Sequence, residues 1–254
     1  PQDVREAIAK GANIFGRFVL LKELGQGGMG MVYKAYDLEL ARPVALKFIK
    51  SEQAEELKAE ARTLASLEHR NIAQIYDIGS EGGKGFIAMQ FIDGKPATEA
   101  KKEDALKIIE QVCEAVEFAH RKGVIHRDIK PDNIMVGEDG VAYVLDFGLA
   151  VKGKAPGEIA GTPGYMAPEI ARGEPATIQS DIYSLGATLY QLISGKRPME
   201  IREGEELRTV IARCQFGIQR DIKEVAPDTP KELVAIIRKA TAKEAKDRYS
   251  TVAE

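Results

Sequence analysis

"HRDIKPDN" (residues 126–133) puts a carboxylate, an ammonium and a carboxamide, Asp128, Lys130 and Asn133, into one short loop. A small hairpin pattern, "NIMVGEDGVAYVL" (133–145), comes next and leads into "LDFG" (145–148), which adds a second acid, Asp146. Two acids and an amide that converge after short strands suit a divalent cation, a phosphate and a hydroxyl nucleophile.

Upstream of this loop the chain reads as strands. "RFVLLKELG" (17–25) and "MVYKAYD" (31–37) flank the glycine-rich stretch "GQGGMG" (25–30). Glycines let backbone N–H groups approach phosphates closely, though many turns are equally glycine-rich. In a dinucleotide-binding unit a helix would follow these glycines. Here a strand pattern follows, which favours a β-hairpin covering phosphates. The next strand, "RPVALKFIK" (42–50), carries Lys47 in "VALK", either a solvated strand-end lysine or a phosphate ligand held by a carboxylate. Apolar residues near helical spacing predict a helix over 54–69, which offers Glu60 as that carboxylate; Glu55 and Glu56 are close by, and the pattern does not separate them. "QIYDIGSE" and "GFIAMQFI" read as a hairpin around Gly82-Gly83.

After "IDGKP" the texture turns helical. Residues 103–123 carry apolar positions at helical spacing and end at Gly123, while "SDIYSLGATLYQLISG" (180–195) is apolar on nearly all sides and predicts a buried central helix. Two further helices are expected at 205–215 and 230–242. The boundary between a small β-rich unit and a larger helical one falls near Gly94.

The 254 residues suffice for one large domain or two small ones, and a net charge of −3 gives no reason to expect a nucleic-acid partner. No apolar run approaches the ~18 residues of a membrane helix, and the polar, amphipathic start does not read as a signal peptide. Cys113 and Cys214 lack metal-ligand spacing and read as reduced. The segment is expected to be cytoplasmic, without membrane contact of its own, and to be excised from a longer chain that could carry an anchor elsewhere.

In this order and at these spacings the motifs resemble those of the eukaryotic-like (Hanks-type) bacterial serine/threonine protein kinases, over about residues 17–252. The resemblance implies an α+β, two-lobed kinase fold. Its N-lobe (17–93) would be a five-stranded antiparallel sheet plus one helix, its C-lobe (94–254) mostly α-helical, with residues 1–16 as an extension. It implies transfer of the γ-phosphoryl group of ATP, with Mg²⁺ (Mn²⁺ possible), to Ser/Thr hydroxyls of protein substrates, with ATP in the cleft between the lobes. Leu24, Gly25, Gln26, Gly27, Gly28 and Gly30 would cover the nucleotide. Lys47, paired with Glu60, would hold the α- and β-phosphates, and Lys130 would sit near the γ-phosphate. Val32, Ala45 and Met135 would sandwich adenine beside the gatekeeper Met89, with backbone contacts at Gln90 and Ile92. Asp128 would accept the substrate proton, and Asn133 and Asp146 would hold the metal. Glu169 would pair with Arg248, and Asp181 would anchor the catalytic loop. A pseudokinase scaffold would lack Lys47, Asp128 or Asp146, all present here. A small-molecule kinase would usually lack "GTPGYMAPE" (161–169).

Some features depart from that family's pattern. The segment 95–105 is short and lacks an expected helix. Between Asp146 and Gly161 no hydroxyl residue occurs, and the resemblance places Glu158 where the family commonly carries a phosphosite; it reads either as a partner of Arg127 in place of that phosphate or as a solvated loop residue. Activation through a homodimer or another partner is then an open alternative. Thr162 is expected to hydrogen-bond Asp128 and Lys130, and His126 to pack beneath Phe147. His69 and His120 read as ordinary helix-end residues.

Overall fold

The computed structural model describes the chain except residues 28–29, 148–158 and 160 and the side chains of residues 3, 26–27, 51, 53, 59–62 and 65. It divides into two compact units, Pro1–Glu68 with Ala73–Asp93, and His69–Ile72 with Gly94–Glu254.

The first unit runs α1 (Gln2–Ala9), β1 (Ile14–Phe15), β2 (Phe18–Gly27), β3 (Gly30–Asp37), β4 (Arg42–Ile49), α2 (Ser51–Ala65), β5 (Ile75–Glu81) and β6 (Lys84–Gln90). Its strands form an antiparallel sheet in the order β1-β2-β3-β4-β6-β5. The sheet therefore has six strands where five were expected, and the unit has two helices where one was expected. Both additions come from the extension 1–16. Ile14 and Phe15 turn through Gly16 and Arg17 to pair with Val19 and Phe18. Phe15 then packs edge-on against Phe48, with ring centroids 4.9 Å apart, and against Phe86. Two residues are too few for alternation to show, which is why the sequence pattern missed this strand.

Residues directly opposite in an antiparallel sheet share a face. Val32, Lys47 and Ile87 form one such row; Lys34, Ala45 and Met89 form the next on the same face. The other face carries the apolar cluster of Phe18, Ala35, Val44, Leu46, Phe86 and Ala88. Gly82 and Gly83, at φ 56° and 77°, make the tight β5–β6 turn that fits the twist of the paired strands. Only Lys50 separates β4 from α2, which leaves almost no loop between them.

The second unit runs β7 (Gly94–Pro96), α3 (Ala105–Arg121), β8 (Ile134–Gly137), β9 (Ala142–Val144), α4 (Pro168–Ala171), α5 (Ile178–Ser194), α6 (Leu207–Cys214), α7 (Ile222–Val225) and α8 (Lys231–Ala240). β7, β8 and β9 form a small antiparallel sheet. The short 95–105 segment is filled by β7 and two 3-10 turns, Ala97–Glu99 and Lys102–Asp104. α5 is the central helix: every residue from Ser180 to Tyr190 is buried. Ser180 Oγ reaches back to accept the Thr177 N–H at 3.0 Å, and Gly195 closes the other end at φ 67°.

Among the ion pairs of this unit, the one between Arg248 and Glu169 is buried on both sides. Arg248 grips Glu169 with two bonds, at 2.6 and 2.8 Å. The remaining donors of the same guanidinium go to the carbonyls of Ala242, Lys243 and Gln179. Both residues are about 5% exposed. Removing one partner strands a buried charge, which costs about 3–5 kcal/mol. Arg248→Met is expected to lower unfolding free energy by about that amount in urea titrations. Arg248→Lys should not restore it, because an ammonium cannot reproduce the planar five-donor fork.

Candidate active site

The loop 126–133 is held from beneath. Asp181, near the start of α5, is wholly buried, and its carboxylate accepts the His126 N–H at 2.8 Å and the Arg127 N–H at 2.9 Å. Arg127 has φ 74°, a left-handed conformation that costs a non-glycine residue roughly 1–2 kcal/mol. The hydrogen bonds to Asp181 offset that strain and fix where the chain turns toward Asp128.

The His126 ring continues the linkage. Its Nδ1 accepts the Asp128 N–H at 3.2 Å, so the ring proton sits on Nε2, which donates to the Leu145 carbonyl at 2.9 Å. Leu145 N–H in turn donates to the Asn133 carbonyl at 2.8 Å. Asp146 follows directly, also left-handed at φ 61°. Phe147 packs on the His126 ring at 4.6 Å between centroids, as the sequence led us to expect.

Above this frame the reactive groups converge. Thr162 Oγ1 donates to Asp128 Oδ1 at 2.7 Å and accepts from Lys130 Nζ at 2.6 Å. Lys130 Nζ also lies 3.0 Å from Asp128 Oδ2. Asn133 Nδ2 donates to the Asp128 carbonyl at 2.8 Å and to its Oδ2 at 3.1 Å. Burial pushes the Asp128 carboxyl up, but the Lys130 charge and the Thr162 hydroxyl outweigh it and hold the group below its ordinary value. Tyr165 carries its own bond to Gln191, and burial pushes its phenol up to about 12.

In the first unit, Val32, Ala45, Lys47 and Met89 lie on one sheet face, with Lys47 only 5% exposed. Gly25 lies within β2 opposite Val32 at φ 157°, and Gly30 opens β3 at φ 137°, where a Cβ would come within 2.1 Å of the Phe48 carbonyl. Leu24 is exposed, Ile92 is buried, and Gln90 N–H donates to the Gln74 carbonyl at 2.8 Å. Met135 lies on β8 in the second unit. Gly28, Glu158, the side chains of Gln26 and Glu60, and with them the Lys47–Glu60 and Arg127–Glu158 pairings, lie outside the described residues.

His120 was misjudged from the sequence. It lies in the last turn of α3 with its side chain 3% exposed, and its Nε2 lies 2.8 Å from Asp181 Oδ2. His69 Nδ1 accepts the Asn71 N–H at 3.1 Å.

Because Asp128 titrates below its unfolded value, it contributes stability that is full above about pH 4 and is lost as pH falls through the folded value. Carboxyl NMR titration should place the wild-type Asp128 midpoint below that of a model peptide. Lys130→Met and Thr162→Ala should each move it upward.

The protein kinase domain family matches residues 18–253. The serine/threonine-protein kinase PrkC of Bacillus subtilis is 35% identical over 259 residues, 95% of this chain and 40% of that protein. The serine/threonine-protein kinase PknA of Mycobacterium tuberculosis is 37% identical over 251 residues, 90% of this chain and 56% of that one. The chain thus spans about 40% to 56% of the length of these curated relatives. The crystal structure of the Mycobacterium tuberculosis PknI kinase domain superposes with a TM-score of 0.74 at 25% identity, covering 96% of this chain and 94% of that domain. With nearly its whole length matched by the family and relatives more than a third identical, the chain belongs to the protein kinase domain family.

Proposed function

We propose that this domain transfers the γ-phosphoryl group of ATP to serine or threonine hydroxyls of protein substrates. The observation that carries this reading is the Thr162 hydroxyl, held between a carboxylate that accepts its proton and an ammonium that donates to its oxygen, at 2.7 and 2.6 Å. A substrate hydroxyl needs those same two contacts. Asp128 would orient it and take up its proton, and Lys130 would steady the attacked phosphoryl group.

Phosphoryl transfer asks little covalent help of a protein; it asks for in-line positioning and neutralised charge. Lys47 would hold the α- and β-phosphates, supported by Glu60. Backbone amides of Gly25, Gly27, Gly28 and Gly30 would lie over the phosphates, beside Leu24 and Gln26. Val32, Ala45 and Met135 would enclose adenine, with Met89 as gatekeeper and Gln90 and Ile92 offering backbone hydrogen bonds. Asn133 and Asp146 supply hard oxygen donors from segments tied together by the Leu145–Asn133 bond, a set that fits a divalent cation such as Mg²⁺ or Mn²⁺. When bound, such an ion would spread positive charge over the phosphate oxygens. Asn133 gives its Nδ2 to Asp128, so its amide oxygen is the atom to face the ion.

The depressed Asp128 pKa makes it a weak base, which agrees with a loose transition state in which alignment counts for more than proton abstraction. Transfer from radiolabelled ATP to a generic basic protein, with a small alcohol as competing acceptor, tests the reading. Wild type should label the protein and not the alcohol. Asp128→Asn should lower kcat by about 100-fold or more while preserving the fold. Lys47→Ala should also lose most activity. Wild-type turnover in Asp128→Asn would sink the assignment.

A further inference from the structure

The buried Asp181 carboxylate has a third donor besides the two loop amides. His120 comes from the last turn of α3, 61 residues away in the chain, and its Nε2 is 2.8 Å from the Oδ2 that also accepts the His126 N–H. A carboxylate oxygen only accepts here, so His120 Nε2 carries a proton. Its other nitrogen, Nδ1, is buried and has no hydrogen-bond partner among the described residues. An imidazole that leaves one nitrogen unsatisfied pays more to be buried than an apolar side chain of the same size. Its bond to Asp181 is what that position gains by being histidine.

The effect of the bond follows from geometry. A carboxyl group turns about a broad, two-fold torsion, so two amides alone leave its plane loosely defined. A donor fixed on a second, independent helix removes that freedom. The orientation passes on to the His126 and Arg127 amides, and from His126 Nδ1 to the Asp128 N–H at 3.2 Å. We propose that His120 is a positioning residue for phosphoryl transfer: by donating Nε2–H to Asp181 it fixes the carboxylate that sets the backbone of the loop carrying Asp128. This rests on the kinase reading above for its catalytic consequence, but not for its structural one.

Three variants separate this role from packing. His120→Leu keeps apolar volume and removes the donor. His120→Gln keeps an N–H at about the Nε2 position. His120→Asn is polar, but its N–H sits near Nδ1 and falls short of Asp181. The readouts are the kcat and KM for ATP, and the amide proton shifts of His126 and Arg127. His120→Leu and His120→Asn should lower kcat about tenfold or more, the scale of a lost bond to a charged group, with KM for ATP within about twofold. Both amide signals should move upfield, and His120→Gln should restore kcat and shifts toward wild type. Should His120→Leu fail to fold, the Asn and Gln pair decides alone. Equal impairment in Gln and Asn, or unchanged kcat and shifts in Leu, would overturn the proposal. Absence of transfer in wild type would refute the kinase reading, and the amide shifts would still decide whether His120 orders the loop.

Discussion

The carboxylate of Asp181, removed from water at the base of α5, accepts hydrogen bonds from the backbone of His126 and Arg127 and from the ring of His120. An ionised group in such a place is expensive unless its lone pairs are filled. Here they are filled by the very atoms whose position matters for chemistry. Arg127 could not otherwise rest at φ 74° without loss, and Asp128 would not meet Thr162 and Lys130 at bonding distance. The His126 ring then carries the same constraint onward to Leu145, beside Asp146.

A frame of this kind needs a rigid base. α5 supplies it through the Ser180–Thr177 cap, through burial along most of its length, and through the Arg248 guanidinium, which bonds the Gln179 carbonyl in its first turn while holding Glu169. Glu169 lies in the first turn of α4, shortly after the segment that carries Thr162. The buried ion pair and the buried anchor therefore act on the two ends of the same job. One fixes the segment that presents a hydroxyl; the other fixes the loop that receives it. Both charges bond to groups that restrict the backbone: Asp181 to the His126 and Arg127 amides, and Arg248 to the Gln179 carbonyl while it holds Glu169.

Much of this was legible in the sequence. The loop 126–133, the glycine hairpin, the all-round apolar α5, the Glu169–Arg248 pair, the Asp181 anchor and the Thr162 contacts all follow from short motifs in order, since each rests on local spacing or on a resemblance that carries its own geometry. What escaped was of another kind. β1 is two residues long, below the length at which alternation is visible, and α1 gave only a general amphipathic signal. The His120–Asp181 bond joins residues 61 apart on different helices, and nothing in the sequence near His120 distinguishes a helix-end histidine from a buried one. Helical spacing marks which face is apolar; it does not say which polar residue beside that face will be drawn inside.

The most direct test of the account is residue-resolved amide hydrogen exchange of Asp181→Asn against wild type. An amide side chain fills the same space but carries no charge and turns an N–H toward donors. The account predicts that His126 and Arg127 exchange about tenfold or more faster, while protection in the centre of α5 and in the sheet of the first unit is unchanged. If both loop amides stay as protected as in wild type, the loop is held by something other than this carboxylate, and the account is wrong at its centre.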